Sequence, residues 1–171
     1  MSNCENPTYE IYVACLAAYN NGFLYGAWID LKQPLESIYA EIHEMIAKSP
    51  APDAEEWEIH DHEFGFCDNL DVESAKIIAY FLYENGEVGE ALISHYCGNV
   101  DEAKNTLEEY YYGEYDSELA FAEHIFEDCC LDQIPDNLQS YIDYETFARD
   151  LFINDYFSVD VGFKVHVFLN H

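Results

Sequence analysis

Acidic residues recur between apolar positions along almost the whole chain, from Glu5 to Asp160, and this interleaving constrains the fold most strongly. The 171 residues include 35 Asp and Glu against 6 Lys and Arg, a formal net charge of -29. Such a charge is typical of disordered chains, but 50% of the residues are hydrophobic and 16% aromatic, which is enough to offset the entropy of ordering. The sequence therefore predicts a folded globule coated with carboxylates.

The hydrophobic pattern predicts an α+β chain of three small subdomains in an elongated arrangement. Residues 1–62 are predicted to form an N-terminal ββαβ subdomain, with a hairpin, a helix in which Pro34 is the first residue and a strand from Trp57. Residues 63–110 are predicted to form a helical bundle. Residues 111–171 are predicted to form helices plus short antiparallel strands.

Two glycines in residues 63–110 predict where the helices of this segment end. The periodic stretches 73–84 and 87–96 flank Gly86, and Gly98 follows the second of them. Glycine is the preferred residue just past a helix end, so we expect separate helices there.

The composition also limits the class of protein. No apolar run could span a bilayer, and the first ten residues lack the basic start and apolar stretch of a signal peptide, so a cytoplasmic protein is expected. The six cysteines show no zinc-type spacing and are expected to be reduced. The few basic residues oppose nucleic-acid binding, and the i,i+4 spacing of Glu44–Lys48 and Glu145–Arg149 predicts that two of them form ion pairs.

The acidic stretch 55–74 contains no Lys or Arg, and the function of this uncompensated negative charge has several possible explanations. One alternative is a metal-dependent hydrolase centred on His60 and His62, predicted to share one strand face. Their spacing differs from the four-residue spacing of the helical zinc signature. A solvated acidic face without a partner and adaptation to high salt are further alternatives. The remaining hypothesis is a surface that imitates a polyanion.

Imitation of DNA agrees with the size of the charge. A net charge of -29 corresponds to about 15 base pairs, or about 50 Å of duplex, and a compact chain of this length is about 40 Å across. The charge density therefore rivals that of DNA. The predicted DNA-mimic acidic surface consists of Glu55, Glu56, Glu58, Asp61, Glu63, Asp68, Asp71, Glu73, Glu87, Glu90, Asp101, Glu102, Glu108, Glu109, Glu114, Asp116 and Glu118.

Several stretches resemble the ArdA family of antirestriction proteins, and the resemblance covers nearly the whole chain. They read "IYVACLAAYNNGFLYGAWIDL", "EEWEIHDHEFGF", "EEYYYGEYDSELAFAEHIFED" and "IPDNLQSYIDYETFARDLFINDYF". The resemblance implies a DNA mimic that is encoded by mobile genetic elements and is not an enzyme. It would need no cofactor or metal, and it would block DNA binding by occupying the DNA-binding groove of type I restriction-modification enzymes in a bacterial cell.

The resemblance also implies site residues and partners. The family's antirestriction motif is matched here by Glu123, Glu127, Asp128, Asp132 and Asp136. A homodimer is implied, and its interface is expected to include Tyr141, Tyr144, Val165, Val167 and Leu169 because these residues supply tyrosines and an apolar strand. The expected partners are the type I enzyme, as methyltransferase core or full complex, and a second copy of this chain, with no nucleic acid and no membrane.

Overall fold

The computed structural model describes residues 8–64 and 70–171, which form two compact units. Unit 1 is Met1–Asn85 and unit 2 is Gly86–His171. The described residues contain seven α-helices and two antiparallel sheets of three strands each, so the predicted α+β class is confirmed. None of the helices in this part of the chain is both long and apolar enough to cross a membrane. The division into three subdomains near residues 62 and 110 stays a prediction.

Unit 1 contains the predicted ββαβ elements and one additional short helix. The elements are β1 (Glu10–Cys15), α1 (Leu16–Asn20), β2 (Gly26–Asp30), α2 (Leu35–Ala47) and β3 (Trp57–His62). The sheet order is β2-β1-β3, so β3 is an edge strand. Helix α2 begins at Leu35 with Pro34 as its N-cap, one residue later than the predicted start.

The core of unit 1 lies on one face of this sheet. Ile11 and Val13 of β1 are fully buried, and Ile29 of β2 lies opposite Ile11. Helix α2 packs against β2, and its Tyr39 ring contacts Trp57 of β3 at a centroid separation of 6.2 Å. Because side chains alternate between the faces of a strand, the residues between these core positions lie on the opposite, outer face.

Helix α3 (Val72–His95) crosses from unit 1 into unit 2. Its Gly86 has φ 54° and ψ -141°, which is not helical and divides α3 into two segments. Glycine adopts this conformation without the steric cost that a Cβ atom imposes. The predicted interruption of the helix at Gly86 is therefore confirmed.

Unit 2 combines the second segment of α3 with a sheet of order β4-β6-β5 and four further helices. The elements are α4 (Val100–Glu109), β4 (Tyr111–Tyr115), α5 (Glu118–Cys129), a 3-10 turn (Leu131–Gln133), α6 (Asp136–Gln139), α7 (Tyr144–Asn154), β5 (Tyr156–Val161) and β6 (Lys164–Leu169). Strand β4 was not predicted from the sequence. The last strand, β6, is the central one.

Phe121 of α5 is the centre of an aromatic core in unit 2. It is fully buried, and its ring contacts Tyr112, Tyr115, Phe152 and Tyr156 at centroid separations of 6.0, 5.0, 5.7 and 4.9 Å, all in edge-on geometry. Edge-on contact is a preferred arrangement of aromatic rings. Burial and a hydrogen bond with Tyr112 raise the pKa of the half-buried Tyr156 to about 12, so this phenol stays neutral.

Candidate functional site

The carboxylates lie at the surface in both units. Every Asp and Glu in residues 8–64 and 70–171 is exposed except Glu10 and Asp30, which are half-buried. All members of the predicted DNA-mimic acidic surface are exposed, apart from Asp68, which lies outside the described residues. The residues matched to the antirestriction motif are also exposed: Glu123, Glu127 and Asp128 on α5, Asp132 in the 3-10 turn and Asp136 at the start of α6.

All six basic side chains lie in the described residues, and each has a partner within the chain. Four form surface ion pairs, namely Lys48 with Glu44, Lys104 with Glu108, Arg149 with Asp150 and Lys164 with Asp116. The Nζ atom of Lys76 donates to the backbone carbonyls of Leu31 and Gln33 at 3.1 and 2.6 Å. The Nζ atom of Lys32 lies 5.3 Å from the ring centre of Tyr83.

The contacts of the basic side chains affect the electrostatic field of the protein more than its free energy of unfolding. Exposed ion pairs contribute little to the free energy of unfolding. They do hold the positive charge against a few local partners, so the remaining carboxylates produce a field of one sign. The predicted Glu44–Lys48 pair is confirmed. The predicted Glu145–Arg149 pair is wrong, because the guanidinium of Arg149 bonds to the carboxylate of Asp150 at 3.1 Å.

Some carboxylates stabilise helix ends in addition to contributing charge. Asp71 accepts a hydrogen bond from the backbone N of Ser74 at 2.7 Å, and Asp143 accepts one from the backbone N of Thr146 at 3.0 Å. These hydrogen bonds lower the pKa of both aspartates. A lowered folded-state pKa contributes stability above the unfolded pKa of about 3.9, and that stability is lost as pH falls through the folded value. Both residues are therefore poor choices for testing charge alone.

The acids at the start of β3 make few contacts within the chain. The carboxylates of Glu55 and Glu56 form no hydrogen bond or ion pair with residues 8–64 or 70–171, and that of Glu58 lies 3.9 Å from the imidazole of His60. Glu58 lies on the edge strand itself, where a charge also opposes pairing with a foreign strand. These three glutamates are available to an external partner.

A β-bulge separates the two histidines of the hydrolase alternative. The register shifts by one residue at His60, so that Asp61 lies opposite Tyr12 and His62 lies opposite Ile11. A bulge of this kind breaks the alternation of the strand, so the predicted shared face is wrong. The His60 ring contacts Tyr19, whereas the His62 ring stacks on Phe64. Among the described residues, no group of three or more His, Cys, Asp or Glu could hold a metal ion.

The residues expected at a dimer interface differ in their exposure. Tyr141 is 82% exposed, whereas Tyr144, Val165 and Leu169 are half-buried. Val167 is fully buried, because β6 is paired on both edges and its side chain packs into the chain's own core. The prediction that Val167 lies in a surface interface is therefore wrong.

Two kinds of exposed residue were not predicted from the sequence. Further exposed carboxylates are Glu36, Glu41, Glu44, Asp53, Glu84, Asp143, Glu145, Asp150, Asp155 and Asp160. Helical periodicity could have identified those on α2, because Ile38 and Ile42 define its buried side. The exposed Trp28 was also left out, although its place in the hairpin opposite a tyrosine is visible in the sequence.

The fold and the surface define a class of protein, a small α+β protein whose exposed carboxylates greatly outnumber its basic side chains. The model of the antirestriction protein (ArdA) family matches residues 11–165. The chain therefore belongs to the ArdA family, as its sequence stretches predicted. A search of curated proteins gave no match.

Proposed function

We propose that this protein is a DNA mimic that binds the DNA-binding groove of type I restriction-modification enzymes and competitively blocks DNA binding. One observation carries the proposal: exposed carboxylates cover both units while every basic side chain has a partner inside the chain. Membership of the antirestriction family supports the same role. The protein would act in the bacterial cytoplasm by binding alone, without catalysis or a cofactor.

The mechanism follows from the chemistry that carboxylates and phosphates share. Both present anionic oxygens that accept charge-assisted hydrogen bonds from Arg and Lys, and Arg can bind either group with two parallel bonds. On α5, Glu123 and Glu127 are one helical turn apart, which places their side chains about 6 Å from each other. Such a row of charges would occupy basic side chains that otherwise contact the DNA backbone.

A competition experiment tests this proposal. A panel of purified type I methyltransferase cores would be incubated with labelled duplex carrying the recognition site and titrated with this protein. We expect complete displacement of DNA, an apparent affinity that falls in proportion to the DNA concentration, and steep weakening between about 50 and 200 mM salt. Inhibition with the duplex still bound, or no displacement from any enzyme at low salt, would contradict competitive mimicry.

We also propose that the active form is a homodimer assembled through unit 2, with Tyr141, Tyr144, Val165 and Leu169 in the interface. The high exposure of Tyr141 supports the proposal, since tyrosine is enriched in interfaces. Two copies carry twice the -29 charge of one chain, which corresponds to about 29 base pairs of duplex. Such a dimer could engage an enzyme that grips two separated half-sites.

Sedimentation of the native protein and of Tyr141→Ala at low micromolar concentration and moderate salt tests the dimer. We expect the native protein to sediment as a dimer and the variant to dissociate at least in part, because truncation removes interface area. A native monomer that inhibits its target fully would rule out the proposed assembly.

A further inference from the structure

The outer face of the first sheet carries an aromatic pair beside carboxylates. Tyr12 lies directly opposite Trp28 on one side and opposite Asp61 on the other, and Ala14 lies opposite Glu58. Side chains that are directly opposite in an antiparallel pair lie on the same face. The two rings and the two carboxylates therefore share the face that does not contact α2.

The aromatic pair consists of an exposed tryptophan and a half-buried tyrosine. Trp28 is 47% exposed, and its ring centroid lies 5.4 Å from that of Tyr12. The Tyr12 ring lies over Gly26, where an added Cβ would come within 2.8 Å of the tyrosine Cζ and Oη atoms. Because Gly26 has no Cβ atom, the Tyr12 ring can lie against the backbone at this position. Tryptophan suits a strand, and its cross-strand pair with Tyr12 stabilises the sheet, while nearly half of the side chain stays open to an external partner.

The carboxylate next to the pair is also oriented. One oxygen of Asp61 accepts a hydrogen bond from the backbone N of His62 at 2.8 Å. The second oxygen forms no hydrogen bond with residues 8–64 or 70–171. Because Asp61 is one strand beyond Tyr12, it lies about 5 Å from it across the sheet.

A ring face next to an anion favours one type of cation. The guanidinium group of arginine stacks on aromatic faces, tryptophan being the best of them, and its planar fork of donors matches a carboxylate. The ammonium group of lysine is more strongly hydrated and lacks the flat surface for stacking. The outer face of the sheet is therefore suited to arginine.

We propose that Tyr12, Trp28 and Asp61 form an anchor for an arginine side chain of the target's basic groove. The guanidinium stacks on the Tyr12–Trp28 pair and donates N–H groups to the free oxygen of Asp61. This inference rests on the proposed function, which supplies the basic partner, and deepens it by adding a short-range contact to the diffuse field. The sugar-phosphate backbone of DNA has no aromatic ring, so the anchor gives the protein a contact that competing phosphates lack.

Dissociation kinetics of the complex with the methyltransferase core test the anchor. Trp28→Ala is expected to shorten the lifetime of the complex about 5- to 30-fold, in the range of a desolvated cation–π contact at an interface. The slope of affinity against salt should stay unchanged, because no charge is removed. Trp28→Phe keeps a ring and should lose less, whereas Asp61→Asn should shorten the lifetime and also reduce the salt slope.

Tyr80→Ala is the matched control, since Tyr80 is an exposed aromatic residue of α3 in the same unit and is 63% exposed. It should leave the lifetime unchanged. Circular dichroism of each variant checks the fold. If the native protein displaces DNA and Trp28→Ala dissociates at the native rate, the anchor is wrong and DNA mimicry stands. If the native protein displaces no DNA, the proposed function fails and the anchor with it.

Discussion

Simultaneous replacement of Glu55, Glu56 and Glu58 by glutamine is expected to weaken binding to the type I enzyme roughly 3- to 100-fold, from about 1.4- to 5-fold for each exposed charge contact. These carboxylates are exposed and make few contacts within the chain, so the changes remove charge with little effect on packing. Each single replacement should change the affinity less than about 5-fold, because a diffuse field is the sum of many small terms. Affinity is measured by displacement of labelled duplex.

The triple replacement by aspartate is the control, since it shortens the same three side chains and keeps their charge. It should bind nearly as tightly as the native protein. Loss of association rate and of salt dependence in the glutamine variant would agree with steering by the field. Abolition of binding by one glutamine replacement in a folded protein would instead indicate a discrete site and count against mimicry.

Replacement of Phe121 by alanine is expected to reduce the free energy of unfolding of unit 2 by about 3–5 kcal/mol. The fully buried ring contacts four other aromatic rings, and its removal leaves a cavity that the surrounding helices and strands fill only in part. A loss of this size is a large fraction of the stability of a typical domain, about 5–15 kcal/mol. Denaturant titration followed by far-ultraviolet circular dichroism measures it.

Phe163→Ala is a control of identical chemistry at a surface position. Phe163 lies in the two-residue turn between β5 and β6 and is fully exposed, so its truncation should leave the unfolding midpoint unchanged. Both tryptophans, Trp28 and Trp57, lie in unit 1, so their fluorescence reports on that unit separately. A change below about 1 kcal/mol in Phe121→Ala would contradict the assigned core.

Local sequence signals predicted most of the helices and strands. Pro34 marked the start of α2, and Gly86 marked the interruption of α3. Strand β4 was missed because its sequence, "YYGEY", follows a helical stretch directly and contains a glycine, which is typical of a helix end, although its three tyrosines suit a strand. Its extended conformation depends on pairing with β6, which lies far away in the sequence. The short helix α1 was missed because its apolar residues continue the pattern of β1.

The exposure of the candidate site was more predictable than its contacts. A carboxylate is expensive to bury, so composition alone indicated an acidic exterior. The ion-pair partner of each basic residue depends on side-chain geometry. Arg149, for example, pairs with its neighbour Asp150 and not with Glu145 at helical spacing. The bulge at His60 is a one-residue shift between paired strands, and no local sequence pattern predicts it. This shift decides which acid lies beside Tyr12.

The position of β6 in the chain has a consequence for synthesis on the ribosome. In unit 1 the central strand β1 emerges first and can receive its neighbours in turn, whereas in unit 2 the central strand follows both of its neighbours. The tyrosine-rich strand β4 therefore stays unpaired until residues 164–169, which form β6, have been translated. Unpaired strands of this kind are hazards for aggregation, and flanking charges act as gatekeepers. Glu114 lies within β4 and Asp116 directly follows it, so we expect these charges to keep nascent chains apart until β6 has been synthesised.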